Sequence, residues 1–187
     1  YSEALDRFWQ PQFLDNVTLP SAGDLSAVTW FGIIEASILL LTVIAAEAVR
    51  RRTRTMNPRQ MTRLLAVLSG VVSGGLVVFG LARNFPLALA SYGTVSIVRR
   101  TSQPLFGAWT NRGIPSAVRA TVLSTFGQMD AIGQVIGGPL IGIMANQFGL
   151  RAALVAAGLI LSPVLLLYRR AYGQTTAVAE EEPVVRG

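Results

Sequence analysis

Three carboxylates, Glu35, Glu47 and Asp130, stand in or beside long apolar stretches of the chain. A carboxylate held away from water is disfavoured in its charged form. It is kept there by a cation, by hydrogen bonds, or because it takes up and gives back a proton. The chain contains no histidine and no cysteine, so disulfides, thiolate or imidazole metal sites and serine–histidine dyads are excluded. Any proton transfer then falls to carboxylates. Glu47 lies one helical turn before Arg50 and Arg51 and reads as their ion-pair partner. Glu35 and Asp130 are the candidates for coupling or substrate contact, with Gln134, Tyr92 and Arg99 as polar companions. The expected structural role of either, Asp130 or Glu35, is an ion pair or packing hydrogen bond, to Arg99, Arg100 or Arg119. No cofactor and no metal is expected.

The elements that position these groups are apolar runs near 27–49, 64–82, 85–104, 119–145 and 151–168. A helix rises about 1.5 Å per residue and needs about 20 residues to cross a hydrocarbon layer of about 30 Å. Half of the residues are hydrophobic (51%), 14% are charged and the mean hydropathy is +0.49. A soluble domain carries nearly twice that charged fraction. The expected fold is therefore an all-α membrane protein, a bundle of five transmembrane helices.

All sixteen basic residues are arginine and the net charge is +6. Thirteen of them fall in the connections after the first, third and fifth runs, and only Arg7, Arg83 and Arg151 in the alternate ones. This asymmetry follows the positive-inside rule rather than the clustered face of a nucleic-acid binder. It sets the arginine-rich connections and the C-terminus in the cytoplasm, in a multi-pass protein of the plasma membrane. The expected partners are the lipid bilayer and a small-molecule substrate, with no nucleic acid.

Within the runs, Gly70 and Gly74 form a G-x-x-x-G pair suited to close helix packing. The third run is purely apolar only from Phe85 to Val98, which predicts that Arg99 and Arg100 snorkel or pair with a carboxylate. In the fourth, Gly127, Asp130, Gln134 and Gly137 project within about 80° of one another at 100° per residue. Asp130 is thus expected on a glycine face directed into the bundle or a wet cavity. Residues 1–26 read as the end of a missing helix and an exterior loop, with Trp9, Trp30 and Phe31 in an interfacial aromatic belt. Residues 171–187 read as a disordered cytoplasmic tail.

The fourth run carries Arg-Ala-Thr-Val-Leu-Ser at 119–124 and Gly-x-x-x-Gly-Gly-Pro-x-x-Gly at 133–142. It resembles the eleventh helix of twelve-helix transporters of the major facilitator superfamily. It is also similar to the glycine–proline motif of that family's antiporters, which usually sits on the symmetry-related fifth helix. The opening Ser-Glu-Ala-Leu-Asp-Arg-Phe-Trp at 2–9 resembles the exterior edge after the seventh helix of bacterial efflux members. The resemblance implies that the runs are helices eight to twelve of a C-terminal half, whose partner is a missing N-terminal half-bundle. It further implies a substrate site near the midplane and rocking of one half against the other. Gly127, Gly133, Gly137, Gly138, Pro139 and Gly142 are expected to pack and kink the fourth helix. The expected function is secondary active transport of small molecules, as proton-coupled efflux. The alternative is a non-transporting anchor, sensor or assembly subunit. An enzyme is not expected, for want of a paired-carboxylate motif, histidine or cysteine.

Overall fold

The computed structural model describes residues 1–17, 19–20 and 25–168. The tail expected at 171–187 and the arginines at 169, 170 and 186 lie outside the described residues. The described fold is all-α: α1 (Ser2–Asn16), α2 (Ala27–Thr53), α3 (Pro58–Leu81), α4 (Phe85–Gly113), α5 (Arg119–Phe148) and α6 (Leu150–Leu161). A further helical stretch covers 163–168.

The helix ends follow capping chemistry rather than hydropathy. Ser26 accepts a hydrogen bond from Thr29 N–H at the start of α2, and Asn84 accepts one from Leu87 N–H at the start of α4. Asn57 and Gln60 form a reciprocal capping box, which starts α3 six residues before its apolar run. Gly149 (φ 86°) closes α5 and opens α6, in the left-handed region that a side chain disfavours.

Among the described residues, three helices are long and apolar enough to cross a membrane: Ala27–Thr53, Arg59–Leu81 and Leu150–Tyr168. Of the five expected spans, those on α4 and α5 have the length but not the same apolar composition. Arg99 and Arg100 interrupt α4, and Gln128, Asp130 and Gln134 dilute α5. The chain beyond the expected end of the third run at 104 is still helix, because α4 runs on through Pro104 to Gly113. Pro104 leaves the carbonyl of Arg100 without its helical donor. Packing of Leu105 against Met61 and Leu65 of α3 holds the continuation.

Contacts fix the topology around α4. Trp9 and Phe13 of α1 meet Tyr92 and Phe85, so α1 runs antiparallel to α4. The ring contact of Trp30 with Phe85, and of Ile38 with the Gly93 position, sets α2 parallel to α4. α3 lies antiparallel to both α4 and α6. In its last turn Phe79 O accepts the cap N–H of Ala82 at 3.2 Å, and the buried Gln12 side chain of α1 donates to Phe79 O at 3.1 Å and to Gly80 O at 3.4 Å.

Close approach of helices does not use the Gly70–Gly74 pair. A Cβ on Gly74 meets nothing within 4 Å, and one on Gly70 meets only a Leu165 methyl at 3.7 Å. The tight positions are Gly75 against Val95, Gly80 against Leu154 and Gly158 against Ser73, where the serine hydroxyl donates to Gly158 O at 2.6 Å. A G-x-x-x-G spacing marks small residues on one face but not which helix covers that face. Trp9 also departs from the expected belt: it is 9% exposed and stacked inside the bundle. Outward faces are apolar instead, with Val28 at 79% and Val43 at 68% exposure on α2.

Candidate functional site

Four helices meet at Tyr92. Its ring stacks on Trp9 of α1, centroids 4.8 Å apart and 12° from parallel, and lies 5.5 Å from Phe79 of α3. Its hydroxyl donates to Glu35 Oε1 on α2 in a short hydrogen bond. The other carboxylate oxygen, Glu35 Oε2, accepts from the Arg100 guanidinium at 2.9 Å. Glu35 thus has a neutral donor on one oxygen and a cation on the other, both from α4. The site exists because α2 and α4 run parallel, so that Glu35 in the third turn of α2 lies level with the second turn of α4. Arg100 stands two turns beyond Tyr92, and a long side chain tilted toward its helix N-terminus reaches back to the same carboxylate.

The neighbouring Arg99 points elsewhere. Its two terminal nitrogens hold both oxygens of Asp6 on α1, at 2.6 and 3.1 Å. Adjacent arginines on one helix therefore tie α4 to two different helices. Asp6 is 55% exposed by its side chain, whereas Glu35 and Arg100 are 29% and 32% exposed. Arg99 is only 14% exposed, so the difference lies in the carboxylates: Glu35 is the better covered of the two, and it accepts from a phenol besides.

Of the residues singled out from the sequence, the structure brings together Glu35 and Tyr92. Arg99 adjoins Arg100 in the chain but is on a separate ion pair, with Asp6. Asp130 and Gln134 are not in this cluster. They bond to each other along α5, Gln134 Nε2 donating to Asp130 Oδ2 at 2.9 Å, and both are exposed. With Ser2, Glu3, Gly133 and Gly137 they line a recess of about 170 Å³ between α1 and α5. Gly127, Gly133, Gly137 and Gly142 have nothing within 4 Å of a Cβ position, while Gly138 faces the Glu3–Arg7 ion pair of α1. α5 remains helical across Pro139. Glu47 pairs with Arg50 and Arg51, each at 2.7 Å, as its spacing predicts.

Sequence reasoning did not single out Trp9 or Asp6 for this region, and weighed Arg100 only as a counter-ion. The available signal was the pair of adjacent arginines inside an apolar run, which demands partners without naming them. Among the described residues, no group of three or more acidic side chains is arranged to hold a metal ion.

No protein-family model matches the chain. No solved structure matches it significantly. Over 167 residues it is 27% identical to an uncharacterized MFS-type transporter, YxaM, of Bacillus subtilis strain 168. The match takes in 89% of this chain and 39% of the length of that relative. The distant relative and the three membrane-capable helices together support a membrane location.

Proposed function

We propose that this chain is the C-terminal part of a secondary active transporter of the major facilitator superfamily, exporting small molecules across the plasma membrane in exchange for protons by alternating access. The reading has five spans, α2 to α6, with the arginine-rich connections and the C-terminus in the cytoplasm. The remaining half-bundle belongs to the part of the relative's length that this chain does not span.

The observation that carries it is the bridging of α2 to α4 by Glu35, through Tyr92 and Arg100. Ionised Glu35 accepts from both donors. A proton taken up on Oε2 removes the charge that holds the guanidinium, so the ion pair between α2 and α4 is broken by protonation and remade by proton loss, while the Tyr92 hydrogen bond persists. Arg100 is then released to meet an acceptor on the substrate, and Tyr92 keeps the neutral carboxyl in place. Asp130, exposed on α5 beside Gln134, is the second coupling candidate in this reading.

The test uses inverted membrane vesicles containing the complete protein. Respiration acidifies their interior, and a panel of small organic compounds is added while a pH-sensitive dye is followed. Proton-coupled export appears as alkalinisation on addition of a transported compound. The expected result is that Glu35→Gln and Arg100→Gln abolish the response. A full response in both variants removes the cluster from coupling. A substrate taken up without proton movement removes coupling itself.

A further inference from the structure

The link between α2 and α3 plays no part in the Glu35 cluster, yet it forms a groove of about 600 Å³. Its rim carries Arg52, from the last turn of α2, and Arg63, from the second turn of α3. Its floor is Met56, Leu64 and Val67. Gln60, Leu64 and Val67 recur at helical spacing on one face of α3, while Met61 and Leu65 are buried beneath it. The Gln60 carbonyl is engaged by the N–H of Asn57, which leaves its amide N–H groups as donors.

The arginines here are not equivalent. Arg50 and Arg51 are neutralised by Glu47. Among the described residues, no carboxylate pairs with Arg52 or Arg63. Two guanidiniums with no carboxylate partner among the described residues therefore line the same groove as Met56, Leu64 and Val67. The helix Arg59–Leu81 is long and apolar enough to cross a membrane, so this groove at its first turns lies at the level of lipid headgroups. A soluble anion engages the rim alone. A lipid with a negatively charged headgroup engages the rim with its phosphate and the floor with its first acyl carbons, because Val67 lies one turn further along α3 than Arg63.

We propose that the α2–α3 groove is a binding site for an anionic phospholipid, with the phosphate between Arg52 and Arg63 and the acyl chain along Leu64 and Val67. It does not depend on the transport reading, since it needs only a membrane location.

The purified complete protein in detergent is titrated with phosphatidylglycerol, and bound lipids are counted by native mass spectrometry. Each basic residue near a lipid surface contributes enough that Arg52→Gln or Arg63→Gln is expected to weaken binding about fivefold, and the double variant about 30-fold. The double variant Arg50→Gln/Arg51→Gln, which removes the same charge outside the groove, is expected to stay within about twofold of the parent. If the double groove variant does not fold, the two single variants give the same answer. Equal weakening by both double variants overturns the site in favour of diffuse electrostatics. Binding of phosphatidylcholine as tight as that of phosphatidylglycerol overturns the role of the arginines. Equal binding of glycerophosphoglycerol, the same headgroup without acyl chains, overturns the lipid assignment. Lipid binding seen only after Glu180, Glu181 and Glu182 are replaced by Gln assigns the groove to the chain's own acidic segment and overturns it as well.

Discussion

Glu35 and Asp6 are both held by arginines of α4, yet they sit in different dielectric surroundings. The Glu35–Arg100 contact is about one-third exposed on each side and is shared with the Tyr92 hydroxyl, whereas Asp6 is 55% exposed beside an Arg99 that is 14% exposed. Surface ion pairs contribute about 0.2–1 kcal/mol, because water and salt screen them. A hydrogen-bonded charge in a drier place contributes more, about 1.5–3 kcal/mol. Double-mutant cycles built from Glu35→Gln with Arg100→Gln, and Asp6→Asn with Arg99→Gln, test this on unfolding in detergent. The first is expected to give a coupling near about 1.5 kcal/mol and the second below about 1 kcal/mol. A larger coupling for Asp6 than for Glu35 contradicts the argument.

At the scale of helices, tight packing is concentrated where α3 meets α6. A Cβ on Gly158 falls 2.8 Å from Ser73 O and 2.9 Å from a Val77 methyl, so an alanine there must push α6 away from α3. Overpacking of this kind costs about 1–3 kcal/mol. Gly74→Ala is the matched control, since its Cβ meets nothing and alanine is the better helix former by about 1 kcal/mol. The expected outcome is a lower thermal midpoint for Gly158→Ala and an equal or higher one for Gly74→Ala. Helix α4 offers a second test. Pro104 lies inside it and is exposed, so Pro104→Ala restores a donor to Arg100 O without crowding a neighbour. Amide exchange through residues 100–108 is expected to slow. Unchanged exchange there indicates that the packing of Leu105 alone sets the stability of that turn.

The molecule as a whole leaves one helix poorly covered. In α5 only Gly138 and Ile141 are buried, and its polar Asp130–Gln134 pair is exposed with the glycines around it. A helix with an ion-bearing face needs protein or water, not hydrocarbon, on that side. In the proposed transporter that side meets the other half-bundle. The present chain, purified and placed in liposomes, is accordingly expected to support no vectorial uptake under an imposed proton gradient. Substrate accumulation by these liposomes contradicts the half-pathway reading.

Membrane character was legible in the sequence, since the scarcity of charge and the length of the apolar runs are properties of single segments. So was the ion pair of Glu47 with Arg50 and Arg51, because partners three and four residues apart meet on any helix. Helix ends were legible only in part: hydropathy stops at Arg99, but hydrogen bonding and the contact of Leu105 with α3 carry α4 on to Gly113. Which cation meets which acid, that Trp9 stacks on Tyr92 rather than lining an interface, and that Gly158 rather than Gly74 marks the tight crossing were decided by tertiary structure alone. Periodicity assigns a residue to a face of its own helix. Only the packing of one helix on another determines what that face meets.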